Sequence, residues 1–572
     1  MAEQGARLTV LGKVITLVVI LGLVGGGVLI VLNKYAHLWS PSPKPGGGGT
    51  PVVEATDTGG ITTVREYKYI PAQTLPPVKG ASAYEWDSSK KILRFSYNVW
   101  AGWLPVIAAN HGTKPNNDSI FAKKYGFQVE LVLMDDPVTA RDAFAAGKVH
   151  TLWGTVDMMV LFAPELLKDS RTAPRVVQQV DWSNGGDGVV VRSHIKSVAD
   201  LKGKAIAYAL NSPSEYYLTS LLLSAGLRPT DIISKHTATA FEAATAFVSD
   251  KNLAGCVSWA PDIYTIPEKV PQTRILSSTA DADKLIADVY AFRADFVRDH
   301  PEIVEGLVAG IFEGMDQIKD KAKLEEACRW MAEAFNIKPE EAVSMRNDAH
   351  PTNFPENVQF FLNSSNPTNF ERTWKNAGHV YQQLGRIPAT APFDQVMDFT
   401  FIQALQKKGM FADQKDESVA TFTPGSYKAV KAEAPILTQT IRINFFPNSA
   451  NPFEPARDEH GNPIAGKLYD PSVAATLEEV ARLSGQFARA VILIEGHTDS
   501  SMRGQVPVQA VKDLSLARAE AIKQALIEKY KFDPNKFIIE GRGWDKPADP
   551  KAPDNHALNR RVEVSVYPPE QQ

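Results

Sequence analysis

The stretch Asp118-Ser-Ile-Phe-Ala-Lys-Lys-Tyr-Gly126 runs directly into Phe127-Gln-Val-Glu-Leu-Val-Leu-Met134. The first part reads as a short amphipathic helix stopped by glycine, the second as a strand rich in β-forming residues. The same exchange is legible on both sides. Leu93, Phe95 and Tyr97 mark a strand before it, and a helix starts at Asp136-Pro137 and closes at Gly147. Asp before Pro at the start and glycine past the end are the expected caps. A β-α-β-α rhythm of this kind implies an α/β fold with largely parallel strands.

Toward the C-terminus the rhythm resumes after Asp187. Gly188-Val-Val-Val-Arg192 and Lys204-Ala-Ile-Ala-Tyr208 read as strands, and Pro213 to Ala225 as a helix stopped by Gly226. Helices dominate from Pro301 to about Gln406. A polar linker from Gln414 to Pro435 then precedes a last α/β unit, Ile436 to Tyr567.

Toward the N-terminus the chain is different. Val14 to Leu32 reads VITLVVILGLVGGGVLIVL, 19 uncharged residues, long enough to cross a bilayer. Arg7 and Lys13 precede it and favour a cytoplasmic N-terminus. The rival is a cleaved signal peptide, but no A-x-A type site follows, so an uncleaved anchor is expected. Gly22 and Gly26 form a GxxxG pair, the spacing through which two such helices can dimerise. Ser40-Pro-Ser-Pro-Lys-Pro-Gly-Gly-Gly-Gly-Thr50 begins a Pro/Gly-rich linker. The expected parts are therefore 1–34 (cytoplasmic tip and membrane anchor), 35–89 (linker), 90–408, 409–435 (linker) and 436–567.

With 572 residues the chain exceeds one core. A net charge of -4 gives no reason to expect nucleic-acid binding. Cys256 and Cys328, the two cysteines, read as separate buried thiols rather than a disulfide.

In the middle region the order of motifs becomes recognisable. Trp100-Ala-Gly-Trp103-Leu-Pro105 follows the first strand, and Ala145-Ala-Gly147 precedes Trp153-Gly-Thr155. Asp181-Trp-Ser-Asn-Gly-Gly-Asp187-Gly precedes a strand, and Ser258-Trp259-Ala-Pro261-Asp262 comes later. From about Lys90 to Lys408 the chain resembles the periplasmic solute-binding proteins of the sulfonate, taurine and nitrate ABC importer group. That resemblance implies two α/β lobes, joined by crossover strands, that close on a small molecule.

Trp100, Trp103, Trp153 and Trp259 stand at strand ends, where such lobes line their cleft. Tryptophan there stacks on a ligand or offers its face to a cation; the alternative is an ordinary core tryptophan. Ser212-Pro213-Ser214-Glu215 reads as a helix start with a capping box from Ser212 to Glu215. Free N–H groups there suit an anionic or zwitterionic solute, and Ser212 and Ser214 are the expected contacts unless Glu215 already fills the charge site. Thiamine-pathway pyrimidine synthases share this fold but use a cysteine-rich motif, absent here. No enzyme activity, catalytic residue, cofactor or metal is expected.

The last unit carries Val491-Ile-Leu-Ile-Glu495, then Gly496-His-Thr-Asp499, then Leu514-Ser-Leu-Ala-Arg518-Ala519 and Asn559-Arg560-Arg561-Val-Glu563. Leu514, Ala517, Ala521, Ala525 and Leu526 are expected to share a buried helix face. From Ile436 to Tyr567 the chain resembles OmpA-like peptidoglycan-binding domains. The resemblance implies that Asp499 and Arg518 grip the zwitterionic end of diaminopimelate. A carboxylate takes the ammonium, and a guanidinium takes the carboxylate through two parallel hydrogen bonds; the alternative is a salt bridge between the two residues. His497, Arg560 and Arg561 read as structural. Val511 replaces the family's usual asparagine, the loop from Ser500 to Lys512 is longer than usual, and Pro452 to Lys467 is an insertion.

The expected protein is an inner-membrane-anchored periplasmic receptor that binds a small solute, attaches to peptidoglycan and signals to a membrane protein. The alternatives are the binding subunit of an ABC importer and a structural tether with a vestigial cleft. A motor subunit of the flagellar stator type is disfavoured, because Val14 to Leu32 holds no carboxylate to carry a proton.

Overall fold

The computed structural model describes residues 60–567, apart from 73–74, 421, 431–436, 442, 444 and 447. The expected membrane segment, with Gly22 and Gly26, lies outside the described residues. Among the described residues no helix is long and apolar enough to cross a membrane.

The middle region forms two α/β lobes. In the first, strands β1 (Ile92–Tyr97), β2 (Gln128–Leu133), β3 (Thr151–Thr155) and β4 (Pro174–Ser183) join two later strands. The second holds β5 (Asp187–Arg192), β6 (Ala205–Ala209), β7 (Ile233–Thr237), β8 (Gly255–Trp259) and β9 (Thr273–Ser278). The chain then returns to the first lobe through β10 (Ala287–Arg293) and β11 (Ala349–Pro351). The sheet orders are β11-β4-β10-β3-β1-β2 and β7-β6-β8-β5-β9.

The sheets are mixed, not largely parallel. β1 pairs in parallel with β2 and β3, and β6 with β7 and β8. β10 is antiparallel to β3 and β4, and β5 to β8 and β9. Topology requires this. A strand arriving from the other lobe starts at the cleft edge and runs away from it, opposite to strands that end there. The crossovers are residues 184–186 and 279–286.

The local signals are realised where expected. Asp136 caps its helix, its carboxylate accepting from Thr139 N at 2.6 Å. Gly126, Gly147 and Gly226 carry φ of +72°, +72° and +74°, the left-handed turn that ends a helix. Cys256 and Cys328 are buried free thiols.

The described part of the expected linker is docked on both lobes. Thr63 donates from N and Oγ1 to Asp262 of the second lobe at 2.9 and 2.7 Å. Further on, Pro76 O accepts from buried Arg141, and Ser82 O from buried Arg293, both at 2.7 Å in the first lobe.

The C-terminal unit has the sheet order β12-β17-β15-β16, from β12 (Leu437–Ile441), β15 (Val491–Gly496), β16 (Phe537–Gly541) and β17 (Val562–Tyr567). The Pro452 to Lys467 insertion contributes a hairpin of β13 (Pro455–Arg457) and β14 (Pro463–Leu468). The long helix Val508–Tyr530 packs on β15 and β16. It starts before Leu514, so the preceding loop is shorter than expected. Its buried face is Val511, Ser515, Arg518, Ala519, Ile522, Leu526 and Tyr530, not the Leu514–Ala517–Ala521 line.

This unit is bonded to both crossovers of the lobes. Arg489 donates to Asn184 Oδ1 at 3.1 Å and lies 3.5 Å from the Asp283 carboxylate. Ala488 N donates to Asp283 Oδ1 at 2.7 Å, and Lys284 N donates to Gln486 O at 3.0 Å. Arg372 pairs with Glu478 nearby, and a Cβ at Gly485 would stand 2.9 Å from the Pro367 ring.

Candidate functional sites

In the C-terminal unit, close packing brings Asp499 and Arg518 to one place. A Cβ at Gly496 would lie 2.1 Å from Ser515 O, and one at Gly541 would lie 2.4 Å from Lys512 O. Only glycine lets the long helix approach β15 and β16 so closely. Ser515 locks the contact, accepting from Gly543 N at 2.9 Å and donating to Lys512 O at 2.8 Å.

One turn further on, Arg518 is buried. Its Nε donates to Ser449 O at 3.1 Å, and its guanidinium lies 4.8 Å from the centre of the Phe445 ring. Among the described residues no carboxylate lies within 4.0 Å of it, so it is not salt-bridged to Asp499. Burial lowers its pKa to about 10, with Asp499 acting in the opposite sense.

Asp499 accepts from Ser501 N at 2.8 Å and from Arg560 Nη1 at 2.8 Å. His556 Nδ1 stands 3.6 Å away. Burial pushes the carboxyl up, but the bonds from Ser501 and Arg560 outweigh it and the net shift is downward. Arg560 is therefore the cation paired with Asp499. Arg561 fits its structural reading, held by Glu563 at 2.6 and 2.9 Å. His497 is buried with no hydrogen bond to either ring nitrogen, and burial lowers its pKa to about 3.

Between the lobes, none of Trp100, Trp103, Trp153 and Trp259 is more than 4% exposed. Trp103 Nε1 donates to Asn98 and Trp153 Nε1 to Met134 O, both at 2.8 Å. These two are core residues of the first lobe. Trp100 Nε1 reaches the Asp181 carboxylate at 3.2 Å, and its ring fills the space above Gly186, where a Cβ would stand 2.4 Å away. Trp259 lies directly opposite Asp187 in the β5–β8 register, and its Nε1 has no hydrogen-bond partner.

The helix Pro213–Ser224 starts at Ser212, but without the expected capping box. Ser212 Oγ donates to Ala209 O at 3.0 Å instead. Glu215 reaches back one residue further, accepting from Asn211 N at 3.0 Å, and is gripped by Arg386 at 2.6 and 2.9 Å. This helix start already holds a carboxylate of its own. Ser214 is buried with its hydroxyl unpartnered.

Asp181, the partner of Trp100, belongs to a group of buried carboxylates that sequence reading passed over. Asp181 on β4 lies opposite Asp288 on β10, which lies opposite Thr155 on β3. Asp157 follows Thr155 and accepts from Tyr381 Oη at 3.0 Å. Asp187 accepts from Ser183 Oγ at 2.7 Å, and Asp348 from Tyr264 Oη at 2.9 Å. Burial raises all five, Asp157 to about 6 and Asp187 and Asp348 to about 7. Asp181 and Asp288 both move upward for the same reason. The available signal was a lone carboxylate inside the apolar run Ala287-Asp-Val-Tyr-Ala-Phe292.

Two family matches cover these regions. Residues 466–561 match the OmpA family, and residues 121–323 match the family described as NMT1/THI5 like. The chain joins an NMT1/THI5-like domain to an OmpA-like domain. Asp499, Arg518 and Arg560 fall within the OmpA-like match, and Trp153, Ser212, Ser214 and Trp259 within the other.

The OmpA-like domain is 35% identical over 99 residues to outer membrane protein Omp38 of Acinetobacter baumannii, covering 17% of this chain and 26% of that protein. The NMT1/THI5-like domain is 32% identical over 224 residues to a candidate binding protein of Brucella abortus, covering 38% of this chain and 64% of that one. The chain thus spans about a quarter of the length of the first curated relatives it matches. The solved structure of the periplasmic aliphatic sulphonate binding protein SsuA from Escherichia coli aligns with 53% of this chain and 96% of that one, at 18% identity and a TM-score of 0.41. That score is too low to speak for the ligand.

Proposed function

We propose that this chain is a non-enzymatic cell-envelope receptor. Its NMT1/THI5-like domain takes a small solute between the lobes, and its OmpA-like domain holds peptidoglycan. Val14 to Leu32 anchors it in the inner membrane, with the bulk of the chain in the periplasm. The observation that carries this reading is the bonding of the OmpA-like domain to both interlobe crossovers. A shuttling importer subunit needs no wall-binding domain, least of all one fastened where its lobes hinge. Fastened there, the wall anchor and the solute site bias one mechanical element.

At the wall, Asp499 would receive the ammonium and Arg518 the carboxylate of diaminopimelate in the peptide stem. Arg518 suits the role because it is buried without a carboxylate partner, so an incoming carboxylate regains the charge pairing that burial withholds. Arg560, now on Asp499, would share that carboxylate or swing aside. Co-sedimentation of the full chain with purified sacculi tests this. Asp499→Ala and Arg518→Ala should each leave the protein in the supernatant; pelleting of both variants like the wild type would refute diaminopimelate recognition.

A second reading, a structural tether with a vestigial cleft, is favoured by the packing of Trp100 on Gly186. It requires that no solute binds at all.

A further inference from the structure

We propose that the interlobe space is a site for an organic cation, a substituted ammonium or amidinium that also carries a hydrogen-bond acceptor. Asp157, Asp181, Asp187 and Asp288 would hold it, with Trp100 and Trp259 beside it. This rests on the solute-binding reading above and fixes the sign of the solute's charge.

The carboxylates come from both lobes. Asp157, Asp181 and Asp288 belong to the first and Asp187 to the start of the second. Asp181 and Asp288 stand opposite each other across antiparallel strands, an arrangement that is destabilising for like charges. Among the described residues none of the four, nor Asp348, has a lysine or arginine nitrogen within 4.0 Å. The basic side chain acting on Asp181 is His350, itself 2.6 Å from Glu356. Arg386 in the same region is committed to Glu215. Buried carboxylates are ordinarily paired or neutralised, and among the described residues these have no cation beside them.

Unpartnered polar groups provide a second, independent sign of a ligand. Trp259 Nε1 is a buried donor without an acceptor, and its register with Asp187 puts both side chains on one face of the sheet. Ser214 Oγ and Asn211 Oδ1, at the start of the helix that follows β6, are likewise buried and unpartnered. A cation bearing an acceptor would answer both the charge and the free indole N–H, and the indole faces suit a cation. An anion finds the helix N-terminus taken by Glu215 and meets carboxylates elsewhere.

The test uses the full chain purified in mild detergent. It is denatured, and any released small molecule is identified by mass spectrometry; choline, putrescine, methanesulfonate and nitrate are also each added before melting at pH 8. A released compound with a cationic nitrogen is expected, with at least about tenfold lower occupancy in Asp181→Asn/Asp288→Asn and in the milder Trp259→Phe. Choline or putrescine should raise Tm by a few degrees, and less at pH 5.5, where these carboxylates hold protons. If release and melting disagree, the released compound decides. Release of an anion lacking such a nitrogen, or stabilisation by methanesulfonate or nitrate alone, would overturn the cation and leave solute binding standing. Unchanged occupancy in both variants would overturn the assignment to these residues. No release and no response to any probe would overturn solute binding itself.

Discussion

Arg518 and Asp499 could be singled out from sequence because each sits in a contiguous motif. Arg560 was not read as a partner of Asp499 for the same reason. It belongs to the neighbouring motif Asn559-Arg560-Arg561, and nothing in one dimension says that its side chain turns to Asp499 while Arg561 turns to Glu563. If Arg518 takes a carboxylate through two parallel bonds, Arg518→Lys keeps the charge but loses the fork, and affinity for sacculi should fall about tenfold. Binding equal to wild type would show that charge alone suffices. The carboxylates of the cleft escaped notice because they are scattered over more than 190 positions, from Asp157 to Asp348, and meet only through sheet register. Their titration has a definite sign. Each folded-state pKa is raised, so the stability they contribute is fully present below about pH 4 and is lost as pH rises through about 6 to 7. Without solute, Tm should fall between about pH 4.5 and 7.5, and Asp187→Asn should flatten that fall. A Tm that rises across the window in the wild type would contradict uncompensated carboxylates.

At the scale of elements, glycine stops and Asp-Pro starts were reliable because they act through local backbone geometry. Strand direction was not, since whether β5 or β10 runs parallel depends on which lobe the chain has just left. The long helix of the OmpA-like domain was entered too late, at Leu514, because Val508, Gln509 and Ala510 at its start are exposed and mark no buried face. Its seating depends on Gly496 and Gly541. Gly496→Ala would drive a methyl into Ser515 O and force the helix off the sheet, costing about 1–3 kcal/mol. Urea unfolding should register that loss, and sacculus binding should weaken with it because Arg518 rides on the same helix. Unchanged stability would mean the helix seats some other way.

At the scale of the whole molecule, composition misled. The Pro-rich stretch up to residue 89 reads as a free linker, yet Thr63, Pro76 and Ser82 tie it to both lobes. Composition reports local stiffness and polarity, not which surfaces a segment meets. The junction between the domains was equally invisible, because Asn184, Asp283 and Arg489 are ordinary polar residues until folding brings them together. If Arg489 fixes the OmpA-like domain on the crossovers, Arg489→Ala should leave the melting of each sheet unchanged while increasing the spread of interdomain distances between spin labels, one per domain. An unaltered distribution would assign that rigidity to other contacts.

The most direct measurement is native-state hydrogen exchange on the full chain, read at two amides that cross the junction. Lys284 N donates to Gln486 O, and Ala488 N to the Asp283 carboxylate. If the OmpA-like domain is fixed on the crossovers between the two lobes, both amides should be protected nearly as well as those of β10 and β15. If both exchange as fast as exposed loops while the sheets stay protected, the two domains move independently and the proposed wall anchor is not coupled to the lobes.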